Sequence, residues 1–252
     1  MRYFIKFSYL GTDFHGSQRQ PNGNTVQETM EKALAMIFRE EVPLTFAGRT
    51  DAGVHAREMY AHMDIGDEAM RREGERLVFR LNGILPNSIA IFDIYPVKDD
   101  AHARFDATQR TYHYRIITKK DPFLYLTRTR VQEGLDYEAM NKAAQLLLGK
   151  QDFASFCRTH TDVKTTLCDV KEAKWIIEND HMAYFTITAD RFLRNMVRAV
   201  VGTLLEVGRG RMSEQQFAEV ISAKNRCKAG HSAPAEGLSL IDIQYPNYIY
   251  HE

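Results

Sequence analysis

Apolar residues along this chain switch between a period of two and a period of 3.6, and the switches come in the same order twice. Tyr3, Ile5, Phe7 and Tyr9 alternate with Phe4, Lys6 and Ser8, which is the period of a strand. A polar, glycine-rich loop follows from Gly11 to Gly23. Thr25-Val26-Gln27-Glu28 has the form of a capping box, and Val26, Met30, Ala33, Leu34, Ile37 and Phe38 then recur at helical spacing. Residues 44–65 read as extended, broken by the polar turn 48–53. A helix is expected over 68–82 and a strand from Ile89 to Tyr95.

The second half repeats the order. Tyr112, Tyr114 and Ile116 alternate with His113 and Arg115 as a strand. Asp136 is placed to cap a helix with Met140, Ala143, Ala144, Leu147 and Leu148 on one face. Extended stretches near 165–177 and 182–189 precede a long apolar-striped helix running from Leu193 to Leu205. A second capping box, Ser213-Glu214-Gln215-Gln216, opens the last helix, and Leu238 to Tyr245 reads as a final strand. The two halves share little residue identity. This order predicts an α+β fold with helices against a mixed, largely antiparallel sheet. The expected division is residues 1–105, residues 106–246, and a tail, 247–252.

Composition narrows the function classes. The 252 residues carry 33 Lys plus Arg and 33 Asp plus Glu, so the formal net charge is zero. That excludes a protein that holds polyanions by bulk charge. The balance hides segregation. Residues 102–120 hold five Lys or Arg and one Asp, and residues 191–228 hold eight Lys or Arg and three Glu. No apolar run approaches the ~18 residues of a transmembrane span, and no apolar signal region follows Met1, so no membrane partner is expected. The three cysteines are odd in number and far apart, with no CxxC, which fits a reducing, cytoplasmic compartment. The nine histidines form no HxH or HExxH, so no metal is expected. Cys157 near His160 is too weak a pairing to indicate a thiol nucleophile.

Three segments have the makings of a site. In Gly48-Arg49-Thr50-Asp51-Ala52-Gly53-Val54-His55-Ala56 two glycines bracket an Arg, a hydroxyl and an Asp. Glycine lets another backbone approach closely, so Asp51 at the crown of such a loop can meet a ligand. An Asx-turn, with Asp51 capping its own backbone, stays open on composition alone. The second segment, His102 to Tyr114, interleaves cations (Arg104, Arg110) with aromatics, which suits stacking on bases and pairing with phosphates. A solvated strand face is the alternative. In the third segment Arg191, Arg194 and Arg198 are spaced i, i+3, i+7, which puts them on one helical stripe, with a solvated helix face as the alternative. Arg198 sits beside Val197, where an inward-drawn guanidinium would need a carboxylate.

Taken together the motifs resemble bacterial tRNA pseudouridine synthase A, over nearly the whole chain. The carriers are Tyr9-x-Gly11-x-x-Phe14-x-Gly16-x-Gln18-x-Gln20, Thr25-Val26-Gln27, the ungapped 48–56 loop, and Leu81-Asn82 with Leu85-Pro86. They continue in Ala103-Arg104-Phe105-Asp106-Ala107 with Arg110-x-Tyr112-x-Tyr114, and Asp152-Phe153-x-Ser155-Phe156. Met196-Val197-Arg198 with Val201-Gly202-Thr203, Gly208-x-Gly210, and Ala229-Gly230-x-x-Ala233-Pro234 with Gly237-Leu238 complete them. One departure is visible: the family usually has Trp where this chain has Ser17.

The resemblance implies the pseudouridine synthase fold, with its active-site cleft between the halves, and isomerisation of uridine 38, 39 or 40 in the tRNA anticodon stem-loop. The family's essential Asp maps to Asp51, as nucleophile or as base for a ribose proton. Either role needs an ionised carboxylate, a form that a nearby cation favours, and the matching cation is Arg198. The target base must be flipped out of its stack. Tyr112 corresponds to the residue that stacks on the extruded uracil, Arg49 to the one that fills the vacated space, and Leu238 to the one that packs on the base. Arg104, Arg110, Arg191 and Arg194 are the candidate RNA contacts. The family implies a homodimer, tRNA as partner, and no cofactor. Two readings from other classes stand beside it. One is a catalytically silent RNA-binding protein. The other is a glycoside-active enzyme, which needs a second carboxylate such as Asp13 or Asp106.

Overall fold

The computed structural model describes residues 1–21, 23–158 and 164–251, so His160 and Glu252 lie outside the described residues. The elements run β1 (Arg2–Tyr9), α1 (Val26–Phe38), β2 (Thr45–Phe46), β3 (His55–Asp64), α2 (Asp67–Glu73), α3 (Arg76–Ile84) and β4 (Ile89–Val97). Then come β5 (Gln109–Ile117), β6 (Thr129–Arg130), α4 (Tyr137–Gln145), β7 (Gly149–Asp152), β8 (Leu167–Asn179) and β9 (Met182–Ala189). The chain ends with α5 (Met196–Gly208), α6 (Glu214–Ala223) and β10 (Leu238–Gln244). It divides into two compact units, Met1–Thr108 with Leu240–Glu252, and Gln109–Ser239.

In the first unit the strand order is β4-β1-β3-β10, with β2 on β3. β1 is antiparallel to both neighbours, with Phe4 opposite His62 and Phe7 opposite Met59. β1 is therefore central, and its Phe4, Ile5 and Phe7 are fully buried on both faces. The six α1 residues expected on one face are all buried. Only half of the expected capping box forms. Thr25 Oγ1 accepts from the Glu28 N–H over 3.3 Å, while the Glu28 carboxylate pairs with Lys32.

Two expectations for this unit need correction. The helix expected over 68–82 is split at Gly74, whose φ of 52° ends α2 before α3 begins. The division of the chain also differs from 1–105, 106–246 and a tail. It falls at Thr108, and residues 240–252 join the first unit. The reason is backbone pairing. Thr108 N–H donates to the Gln244 carbonyl (2.9 Å) and Lys98 N–H to the Ile249 carbonyl (2.9 Å). Ile249 is buried and the Tyr250 ring lies 6.0 Å from Tyr95, so these two residues of the expected tail pack on the first unit.

In the second unit the order is β5-β9-β8-β7, antiparallel throughout, with β6 parallel to β5. The sheet is therefore mixed and largely antiparallel. Asp136 caps α4 through the Ala139 N–H (2.9 Å), and Ser213 and Gln216 complete a reciprocal capping box on α6. Leu148 is exposed and leaves the expected α4 face. Among the described residues no helix is long and apolar enough to cross a membrane.

Candidate active site

The Asp51 loop belongs to the first unit and is held from two sides. Thr50 is the anchor. Its N–H donates to Ser17 Oγ (2.9 Å), its carbonyl accepts from the Ser17 N–H (3.2 Å), and its hydroxyl lies 2.8 Å from the Tyr9 hydroxyl. Ser17 is itself fixed: its carbonyl accepts from Gln27 N–H in the first turn of α1 (2.9 Å). Behind the loop, His55 Nδ1 accepts from the Gly11 N–H (2.9 Å, buried), so that nitrogen carries no proton. A Cβ on Gly11 would collide with the Val54 carbonyl, and Gly53 adopts φ 77° to close the turn. The Val54 N–H donates to the Asp51 carbonyl (3.1 Å). This leaves Asp51 half-buried at the crown, with Arg49 exposed beside it.

Asp13 is exposed, and Asp106 is committed elsewhere, its Oδ2 accepting from the His102 N–H over 2.7 Å.

Tyr112, Arg198 and Leu238 belong to the second unit. Tyr112 sits on β5 opposite Ile187, half-buried, with the Phe192 ring edge-on at 5.0 Å and 84°. Two residues on, Tyr114 is fully buried. Its hydroxyl lies 2.7 Å from Thr129 Oγ1 and 2.9 Å from the Pro234 carbonyl, and burial raises its pKa.

Arg198, in the first turn of α5, is tied to the strap 229–238. Its Nε donates to the Ala233 carbonyl (2.7 Å), and the Ala233 N–H donates back to the Arg198 carbonyl (2.9 Å). The strap is fixed at further points. Thr203 Oγ1 accepts from the Gly230 N–H (3.0 Å), and Arg115 N–H donates to the Gly237 carbonyl (2.8 Å). Ser232 Oγ accepts from Asn195 Nδ2 (2.6 Å) and Arg226 Nη2 (2.9 Å). Gly202 makes the close approach possible, because a Cβ there would collide with the His231 carbonyl. Leu238, at the end of the strap, is buried, and its N–H donates to the Ala235 carbonyl (2.9 Å).

The expected arginine stripe does not form. α5 starts at Met196, because Asn195 takes a left-handed φ of 64° and breaks continuity with the residues before it. Arg191 and Arg194 lie in the preceding turn; Arg194 is exposed and Arg191 half-buried. Arg110 Nη1 donates to the Asp190 carbonyl (2.8 Å), which places Arg110 beside Arg191 at the end of β9. Cys168 is buried and its thiol is pushed up to about 12 by that burial, so it is no nucleophile.

Reading from sequence assigned no bracing role to Ser17, Tyr9, His55, Asn195, Phe192, Arg226 or Ser232. Asn195 carried a signal, as Asn tolerates the left-handed region better than most residues. The others act across separations that periodicity does not encode.

A family model described as tRNA pseudouridine synthase matches residues 6–106 and 143–246. A tRNA pseudouridine synthase A of Parabacteroides distasonis is 53% identical over 99% of this chain and 98% of its own length. The Bacteroides fragilis protein of that name is 50% identical with the same coverage, and the Staphylococcus saprophyticus one is 37% identical over 96% and 90%. With both units matched and the glycine-bracketed Asp51 loop intact, this chain belongs to the tRNA pseudouridine synthase family.

Proposed function

We propose that this protein, an isomerase that converts uridine in tRNA to pseudouridine, acts at positions 38, 39 and 40 of the anticodon stem-loop. The N1–C1′ bond breaks, the uracil turns, and a C5–C1′ bond forms; the C5 hydrogen is lost to solvent and N1 gains a proton, so the reaction is balanced without an oxidant. Asp51 is the nucleophile or base and Arg198 its ion-pair partner. Tyr112 stacks on the extruded uracil, Leu238 packs on it, and Arg49 fills the space it leaves. Arg104, Arg110, Arg191 and Arg194 contact the RNA. The enzyme works as a homodimer in the cytoplasm. The observation that carries this reading is the 48–56 loop, ungapped against the family pattern and braced at Thr50, which raises a half-buried carboxylate on a rigid crown.

Release of tritium from tRNA labelled as [5-³H]uridine tests it. Asp51→Asn abolishes release and keeps tRNA binding; full activity in that variant overturns the assignment. A silent RNA-binding protein would give no release in either form. Mapping pseudouridines in tRNA from a strain lacking the gene fixes the positions, and losses outside 38–40 refute that part.

A further inference from the structure

The segment Ala101-His102-Ala103-Arg104-Phe105-Asp106-Ala107 turns two side chains outward and locks everything else. Ala101, Ala103 and Ala107 are buried, while Phe105 is 75% exposed and Arg104 is exposed beside it. The turn is fixed from both ends within the first unit. His62 Nδ1 accepts from the Ala103 N–H (3.1 Å), and the Tyr245 hydroxyl donates to the Ala103 carbonyl (2.5 Å). Arg2 Nη1 donates to the Ala101 carbonyl (2.9 Å), and Asp106 Oδ2 accepts from the His102 N–H. His102 Nδ1 accepts from the N–H groups of Arg104 and Phe105 (3.1 and 3.3 Å), so that nitrogen carries no proton.

The His102 ring lies 4.3 Å from that of Phe105, and the Arg104 guanidinium carbon is 5.8 Å from the Phe105 centroid. An aromatic face is thus held out into water on a rigid mount, with a second ring and a cation against it. Phe79 and Phe123 are more exposed, at 81% and 92%, but among the described residues neither has such ring or cation neighbours.

We propose that Phe105, with Arg104, is a stacking platform for an unpaired base of the tRNA, separate from the one that receives the reacting uracil. The chemistry fits an RNA base. A π-face accepts any base, an arginine beside it pairs with the adjoining phosphate, and a pre-fixed ring loses little entropy on binding. The one carboxylate of the turn, Asp106, is turned onto the His102 N–H, and the exposed cation beside the ring is Arg104. The proposal rests on tRNA as the substrate.

Unmodified tRNA transcript is the probe. Phe105→Ala and Phe105→Leu each weaken binding and raise KM about tenfold, the range of one lost base stack, and Phe105→Trp restores both. The chain has a single tryptophan, the buried Trp175, so a parallel titration of the parent supplies the tryptophan baseline to subtract. Phe105→Trp adds emission that tRNA quenches and salt restores. Binding by Phe105→Leu equal to the parent, or no quenching in Phe105→Trp, overturns the proposal. So does a change of sedimentation in Phe105→Ala, which would make the ring a protein contact. Tritium release at saturating tRNA persists in all three variants if the enzyme assignment holds, so failure of the platform is separable from failure of that assignment.

Discussion

Ser17 and Thr50 are joined by two reciprocal hydrogen bonds, each residue donating its N–H to an oxygen of the other. Ser17 is fully buried. Its hydroxyl satisfies a backbone N–H next to Asp51, and removing it leaves that donor buried without a partner. Ser17→Ala is expected to lower stability by about 1–3 kcal/mol and to lower kcat with little change in KM. Denaturant titration and tritium release measure the two. An unchanged kcat would mean that the clamp does not govern the loop.

This pair also shows where legibility ended. The hydroxyl and the N–H that donates to it are 33 positions apart, and no local period announces such a bond. Strands β1 and β5 and helices α1, α4 and α6 were readable because their burial is periodic in their own residues. The return of β10 and residues 240–252 to the first unit was not, because strand pairing is set by non-local backbone bonds. The arginine stripe failed for a local reason, the single left-handed residue Asn195. The Asp51 loop was recognisable as a motif, yet the residues bracing it were not.

Arg226 fixes the strap to which Arg198 is bonded. Its Nη1 donates to the Gly230 carbonyl (3.0 Å) and its Nη2 to Ser232, whose strap supplies the acceptor for Arg198 Nε. A lysine keeps the charge but cannot reproduce the planar fork. If Arg198 pairs with Asp51 as proposed, Arg226→Lys lowers kcat about tenfold, since small misplacements beside the reacting atoms are costly, with KM for tRNA nearly unchanged. A rise in KM alone, seen in steady-state kinetics, would instead make Arg226 a phosphate contact.

At Gly202 the backbone of the strap lies directly against α5. Backbone lies on both sides, so neither can yield to a Cβ as a flexible side chain would. Gly202→Ala is expected to cost about 3 kcal/mol, at the upper end of over-packing. Hydrogen exchange should show the amides of Gly230 and Ala233 losing protection first. Protection equal to the parent's would show that the strap has another seat.

His62 should make stability fall with acid before the carboxylates do. It is 6% exposed, its Nδ1 accepts from the Ala103 N–H, and its ring lies 4.7 Å from His102. Burial, and then the nearby Arg2 and His102, lower its pKa to about 4, against smaller opposing effects of Asp64 and Asp106. An unfolded histidine titrates near ~6.5. Between these values the unfolded chain binds the proton and the folded one does not, so stability rises with pH across that window. The contribution is complete above the unfolded value and is lost as pH falls towards about 4, a change of about 2–3 kcal/mol. Asp64, which Arg2 holds below the usual carboxylate range, gives way only at lower pH. His102 is also lowered by burial and adds in the same direction. In His62→Gln the amide oxygen still accepts from Ala103 but does not titrate. Denaturation midpoints at pH 7 and 5 should therefore differ much less in His62→Gln than in the parent, with the remainder owed to His102. Equal slopes in the two proteins would refute the assignment to His62.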